Sequence, residues 1–319
     1  MRTEKKIHFH KKSGGSSISC VGQHIFEQLR DNNYDIKAKD LDKYDEDFIQ
    51  PVEIGIIYGL VRDLKKIYRY SCKIAGLVCE KELTPYEILL IKEAQLMEIW
   101  VPSDYVAQFF IKAGFEKKIE VVPHGVEEFP LANPSLKKES NEFKGLMIFN
   151  SYGRLNDHVL RKNPFKAIEA VNSLENISLK LRTKHQKYYD KVNLKKVEFA
   201  EEYIEDLTDL YRDCDFLLYP SDSEGFGLVG LEALMRGIPL ISTKTGNEYL
   251  DENVSYIEIK MPVTAEGIKE AIKEMTDNYS KYKGKAIEQR EYIYEKNSWK
   301  KVGERVENAI DNMLKKKVF

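Results

Sequence analysis

Residues 219–243 read YPSDSEGFGLVGLEALMRGIPLIST, and the fold turns on this stretch. It predicts a strand ending near Pro220, a loop carrying Glu224-Gly225-Phe226-Gly227, and a helix over Leu228–Arg236. Gly237 and Pro239 then stop the helix and return the chain to a strand over Leu240–Thr243. Gly225 and Gly227 allow close backbone approach, so amides at the helix start can face an anion. Leu228, Val229, Leu231, Ala233, Leu234 and Met235 leave this helix little polar surface, which implies burial on several sides. Glu232 therefore sits in apolar company, where an uncompensated carboxylate is costly. Its partner is either the vicinal hydroxyls of a ribose or Arg236, four residues on.

The same alternation of short apolar runs with amphipathic stretches extends both ways. Upstream strands are predicted over Gly145–Asn150, Ser178–Arg182, Val197–Phe199 and Phe216–Tyr219, with helices over Pro164–Leu174 and Ile204–Arg212. The first half predicts strands over Ile7–His10, Val52–Tyr58, Ile74–Cys79, Glu98–Val101 and Ile119–Val122. Helices over Val21–Arg30, Val61–Tyr70, Pro85–Met97 and Ser103–Ala113 separate them, the last with Ser103 as N-cap and Gly114 beyond its end. This is the α/β pattern of two doubly wound parallel sheets in tandem. At 319 residues the chain exceeds the usual single-domain size. The polar stretch 133–141, after Pro123-His124-Gly125, reads as the linker. Domains over 1–139 and 140–296 follow. In such sheets ligands lie at the carboxyl ends of strands.

Composition narrows the function. Fifty basic and 52 acidic residues nearly cancel, so no nucleic-acid partner is expected. Four scattered cysteines without a CxxC pair read as reduced thiols of a cytoplasmic protein. No metal is expected, because the histidines form no ligand cluster. His8 and His10 share a strand face and read as structural. No window approaches a membrane span of roughly 18–20 apolar residues. Arg62, Lys65, Lys66, Arg69 and Lys73 fall at helical spacing. They form either a solvated face or a peripheral contact, over Arg62–Lys73, with anionic lipid at the inner membrane face or with a phosphate-bearing acceptor.

Glu224 and Glu232, with seven residues between them inside EGFGLVGLEALMRGIPLI, resemble the paired-glutamate signature of retaining GT-B glycosyltransferases, family four (glycosyl transferases group 1). Ser151-Tyr152-Gly153-Arg154-Leu155 followed by Arg161-Lys162-Asn163-Pro164 resembles that family's GR…KN segment. Lys12-Ser13-Gly14-Gly15-Ser16-Ser17 resembles its glycine-rich acceptor-domain loop, and Trp100–Ser103 and Val121–Val126 resemble its segments leading to the linker.

The resemblance implies a GT-B fold, two Rossmann-like domains with a cleft between them, and a final helix from Trp299, within 297–319, packing back on the first. It implies transfer of a hexose-type sugar from a UDP- or GDP-sugar to a carbohydrate, lipid-linked or protein acceptor hydroxyl, without cofactor or metal. Glu224 would meet the transferred sugar and Glu232 the donor ribose. The amides of Gly225, Phe226, Gly227 and Leu228, with Arg154 and Lys162, would meet the diphosphate, and Gly15 would approach the donor. Cations after a strand end suit a departing phosphate whose charge grows at the transition state. Lys162→Ala or Glu224→Ala is then expected to abolish most turnover with the fold intact.

Some features depart from that pattern. Residues 54–63, which match the strand where the family often carries an acceptor histidine, contain none. Glu80 and Asp63 are the loop carboxylates placed to orient an acceptor, unless they are merely solvated. His124, at the linker, reads as structural. Asp213-Cys214-Asp215 spells a DxD, yet its place just before a strand does not suit metal binding. A non-catalytic nucleotide-sugar-binding homologue, regulatory or scaffolding, is the alternative. An NAD-type Rossmann protein would need a GxGxxG after the first strand, and Gly14-Gly15-Ser16-Ser17 does not comply.

Overall fold

The computed structural model describes residues 7–12, 17–31, 34–40, 54–68, 70, 72–79, 81–133, 135–136, 140–149, 157–183, 189, 192–200 and 207–316. The chain divides into two compact units, one of residues 1–125 with 297–319, the other of residues 126–296.

In the first unit β1 (Ile7–Lys11), α1 (Ser17–Asp31), β2 (Ile36–Asp40), β3 (Ile54–Gly59), a 3₁₀ helix (Val61–Ile67), β4 (Lys73–Leu77), α2 (Pro85–Ala94), β5 (Glu98–Val101), α3 (Asp104–Lys112) and β6 (Lys118–Val121) follow in order. The sheet is parallel, ordered β2-β1-β3-β4-β5-β6. Strands β3, β4 and β5 are buried along their whole length, as strands covered on both faces must be. Side chains set the helix starts. Thr84 and Glu87 form a reciprocal capping box on α2, and Ser103 Oγ accepts from Val106 N at 3.2 Å on α3.

The helix expected over Val61–Tyr70 is a shorter 3₁₀ helix. Asp63 closes its first turn twice, its own N–H donating to Leu60 O and its carboxylate accepting from Leu60 N, each at 2.9 Å. Strand β2 was not anticipated, since Ile36-Lys-Ala-Lys-Asp40 is a weakly apolar edge segment.

The second unit runs β7 (Phe143–Ile148), α4 (Asp157–Leu160), α5 (Pro164–Asn172), β8 (Ile177–Arg182), β9 (Val197–Phe199), α6 (Leu207–Arg212), β10 (Phe216–Tyr219), α7 (Leu228–Met235), β11 (Leu240–Ser242), β12 (Ile257–Glu258), α8 (Ala265–Asp277), α9 (Tyr279–Glu288) and α10 (Arg290–Asn297). Its parallel sheet is ordered β12-β11-β10-β7-β8-β9. Alternate residues of β7 and β10 enter two apolar layers. Met147, Phe216 and Leu218 pack beneath α5 and α8, while Leu146, Ile148, Leu217 and Tyr219 pack against α6 and α7.

The division of units falls at Gly125–Val126, before the polar stretch that suggested a boundary at 139. Residues 126–132 are pinned to the second unit. Ala132 N donates to Arg236 O at 3.0 Å, and the Arg236 guanidinium lies 3.6 Å from the Phe129 ring centre. The final helix α11 (Trp299–Lys316) belongs to the first unit. Its Trp299 stacks on His24 of α1 with ring centres 4.2 Å apart. A Cβ on Gly125 would stand 2.4 Å from the Trp299 ring, so only glycine passes there.

Candidate functional site

Sheet order in the second unit reverses between β7 and β10: the chain runs outward through β8 and β9 on one side, and through β11 and β12 on the other. The carboxyl ends at such a switch point diverge and leave a crevice for a ligand. Tyr219 ends β10 there, and the loop after it carries Glu224.

Glu224 is 4% exposed and meets Lys162, 6% exposed, in a direct ion pair. Arg161 Nη1 stands 3.7 Å from the same Oε1, and Lys162 Nζ lies 3.4 Å from Tyr219 OH. Two cations thus share one carboxylate. Burial pushes the Tyr219 and Tyr249 phenols well above the ordinary tyrosine range, with Glu224 adding to both shifts.

Loop chemistry holds this cluster. Asn163 sits in the left-handed region at φ 54°, and its amide donates to Pro220 O at 2.9 Å and to Asp222 Oδ1 at 2.8 Å. Asp222 N returns a bond to Arg161 O at 2.7 Å, and Arg161 also donates to Ser223 O. The 161–163 turn and the 220–224 loop are therefore stapled together, with Lys162 and Glu224 facing.

Gly227 caps α7 at φ 73°, where a Cβ would fall 1.7 Å from Asn247 Oδ1. Tyr249 OH donates to Gly227 O at 2.8 Å. Gly246, at φ 75°, lies so close under the loop that a Cβ would meet Glu224 O at 1.8 Å. The first-turn N–H groups of α7 are thereby aimed from a rigid seat.

Glu232 lies on the second turn of α7. Among the described residues its carboxylate has no ion pair and no hydrogen bond. Arg236 instead donates to the Glu232 backbone carbonyl at 3.0 Å while stacking between Phe129 and Tyr211. The expected alternative of an Arg236 ion pair is thus not what the side chains form. Burial pushes the Glu232 carboxyl above the ordinary glutamate range, and Arg236 and Arg182 pull it back.

Of the predicted site residues, the structure brings Lys162, Glu224, Gly225, Phe226, Gly227, Leu228 and Glu232 onto two loops and one helix of the second unit. Arg154, Gly15 and Glu80 lie outside the described residues. Asp63 is occupied in capping the 3₁₀ helix and faces Lys12 Nζ at 3.6 Å. Arg161, Asn163, Tyr219 and Asn247 were missed as site residues. Only the adjacency of Arg161 and Asn163 to Lys162 could have signalled them.

The remaining candidates have structural partners. His8 and His10 both reach Tyr70 OH, at 3.2 and 2.7 Å. His124 Nε2 meets Tyr58 OH at 2.7 Å, and burial lowers its pKa to about 3. In the DxD, Asp213 pairs with Lys180 at 3.3 Å and Asp215 accepts from Lys144 N at 2.8 Å. Among the described residues no group of three or more His, Cys, Asp or Glu is placed to hold a metal ion.

In the basic face, Lys73 is buried on β4 and donates to Tyr70 O, so it leaves that face, and Arg69 lies outside the described residues. Arg62, Lys65 and Lys66 are exposed beside Tyr86. No helix among the described residues is long and apolar enough to cross a membrane.

Two Rossmann-like units with this switch-point site define the GT-B fold of nucleotide-sugar glycosyltransferases. The glycosyl transferases group 1 family matches residues 132–299, more than half of the sequence, and the chain belongs to it. Among solved structures it is similar to Anabaena HepE in complex with UDP and glucose (14% identity, 97% of this chain and 100% of that one, TM-score 0.72). It is also similar to sucrose-phosphate synthase of Thermosynechococcus elongatus (14%, 97% and 99%, TM-score 0.75). A third is the lipopolysaccharide outer core galactosyltransferase WaaB (14%, 97% and 99%, TM-score 0.71). No curated protein matches the chain.

Proposed function

We propose that this chain is a retaining, metal-independent hexosyltransferase that uses a UDP- or GDP-sugar. The reading is carried by the buried Lys162–Glu224 pair at the switch point, beside the N-terminus of α7. Lys162 and Arg154, with the amides of Gly225–Leu228, take the diphosphate. Glu224 turns to the sugar hydroxyls, and Glu232 accepts from the ribose hydroxyls. HepE in complex with UDP and glucose, similar in fold, supports a UDP-sugar donor, and the galactosyltransferase WaaB, also similar in fold, supports transfer of a hexose.

The acceptor hydroxyl attacks the anomeric carbon from the face the diphosphate leaves, so configuration is kept without a protein nucleophile. Catalysis comes from holding donor and acceptor together and from neutralising the leaving diphosphate. Cations and helix amides supply that neutralisation, which is the support for metal independence. The acceptor is a carbohydrate, lipid-linked or protein hydroxyl, with Glu80 and Asp63 as residues of the acceptor side, while Gly15 approaches the donor. The protein works in the cytoplasm. Exposed Arg62, Lys65 and Lys66 beside Tyr86 suit a peripheral contact with anionic lipid at the inner membrane face.

The test is a panel of nucleotide sugars and acceptors, monitored for nucleoside diphosphate release and for the anomeric configuration of the product by NMR. Release with retained configuration that Lys162→Ala abolishes supports the reading. Inverted product overturns the retaining mechanism. Donor bound tightly but never consumed, across the acceptor panel, makes the chain a non-catalytic binding subunit instead.

A further inference from the structure

Arg182 is a cation whose charge reaches Glu232 and to which the donor reading gives no role. It ends β8 in register with Ile148 of β7, and paired residues of parallel strands point to the same face. Ile148 lies in the layer against α6 and α7, as does Tyr219 of β10. The β10–β7 register pairs Leu217 with Leu146, and two residues further on it sets Tyr219 beside Ile148. Tyr219, Ile148 and Arg182 therefore form one row along the carboxyl edge, on the face that carries α7. Tyr219 and Arg182 are two strand spacings apart, about 10 Å.

Lys180, two residues earlier on the same face, is neutralised by Asp213 at 3.3 Å and Glu198 at 3.6 Å. Arg182 is half-buried, and among the described residues its guanidinium has neither an ion pair nor a hydrogen bond. The adjacent Thr183 is 4% exposed, and its Oγ1 has no hydrogen-bond partner. Buried polar groups are normally satisfied, so the partnerless Thr183 hydroxyl, next in the chain to a half-buried guanidinium at a strand's carboxyl end, marks a polar ligand's place.

Resting on the donor reading above, we propose that Arg182, with Thr183, reads the base of the donor and selects one whose edge presents carbonyl acceptors. The order along the crevice carries this. Beside Tyr219, Glu224 takes the sugar and Lys162 the diphosphate, and Glu232 takes the ribose. The base extends beyond the ribose, toward Arg182. A guanidinium offers five N–H donors and no acceptor. The carbonyl edge of uracil, or the O6 and N7 of guanine, satisfies such a fork. The exocyclic amines of adenine and cytosine set donor against donor and leave the arginine unpaired, which is how a built polar site rejects the wrong ligand.

The experiment is calorimetric titration of UDP, GDP, ADP and CDP into the full-length protein and its Arg182→Ala and Arg182→Lys variants. Among the described residues Arg182 makes no hydrogen bond or ion pair, so its removal costs only the long-range attraction to Glu232, and melting curves check that the variants stay folded. Wild type should favour UDP or GDP over ADP and CDP by about tenfold or more, as a bidentate contact provides. In both variants that preference should shrink to about threefold or less while nucleotide binding persists. Unchanged preference in the variants, or tightest wild-type binding of ADP or CDP, overturns the assignment while leaving the donor site standing. Failure of all four nucleotides to bind wild type overturns the donor reading itself, and this inference with it.

Discussion

The Lys162 ammonium sits directly on Glu224 Oε1, with 8% and 5% of the two side chains exposed, although 62 residues separate them. Such a pair gains Coulomb energy against a large desolvation cost, and losing one partner strands the other's charge. A donor that inserts between them would exchange this mutual contact for phosphate on the lysine and hydroxyls on the glutamate.

Lys162→Met or Glu224→Gln alone should therefore lose most turnover and also about 3–5 kcal/mol of stability. The sequence alone suggested an untouched fold. The double variant Lys162→Met/Glu224→Gln should recover much of that stability and stay inactive. Urea titrations alongside turnover assays check this, and equal stability losses in single and double variants would contradict it.

Gly246→Ala should unseat the Glu224 loop. The left-handed backbone costs an ordinary residue roughly 1–3 kcal/mol, and the new Cβ would overlap Glu224 O, a backbone atom that cannot rotate away. A domain of this size loses about 2–4 °C in Tm per kcal/mol. Calorimetry should show that drop together with weakened UDP or GDP binding.

Asn163 combines a left-handed backbone with two amide bonds to the 220–222 loop. Asn163→Gly removes the bonds and keeps the conformation easy, whereas Asn163→Ala removes the bonds and adds strain. Both should raise the donor KM. The glycine variant should be the more stable of the two by about 1 kcal/mol, as thermal melts would report.

Glu232 carries a sign that can be measured. Its folded carboxyl titrates above the ordinary glutamate range because burial disfavours the charge. Its contribution to stability is full below the unfolded glutamate pKa and is lost as pH rises through the folded one. Glu232→Gln should then be more stable than wild type at neutral pH, with the gap closing on acidification. The same variant should bind donor more weakly at neutral pH, since a carboxylate accepts better than an amide.

His124 runs the other way. With its pKa lowered to about 3, it stays neutral in the folded protein near pH 7. Its contribution is present above the unfolded histidine value of about 6.5 and is lost as pH falls toward 3. Acid titration of stability should be shallower in His124→Gln than in wild type over that window.

Much of the site was legible because its determinants are local. Gly225 and Gly227 before Leu228, and Glu232 on the second turn, encode a helix start and a carboxylate in apolar company within eight residues. Capping chemistry marked α3 through Ser103 just as directly. Where local signals were weak, elements were missed or misjudged. Strand β12 has only two residues, β2 alternates lysines at a sheet edge, and Asp63 tightened an expected α-helix into a 3₁₀ turn.

From spacing alone the chain determined its two doubly wound sheets and the glycine-seated helix, because backbone dihedrals and periodic burial are properties of neighbours along the chain. Tertiary structure decided which charges meet. It set Lys162 against Glu224, turned Arg236 onto Phe129 and Tyr211, brought the charge of Arg182 to bear on Glu232, and moved residues 126–132 into the second unit. Such pairings depend on sheet order and on the desolvation each charge meets, and neither is written in the distance between residues along a sequence.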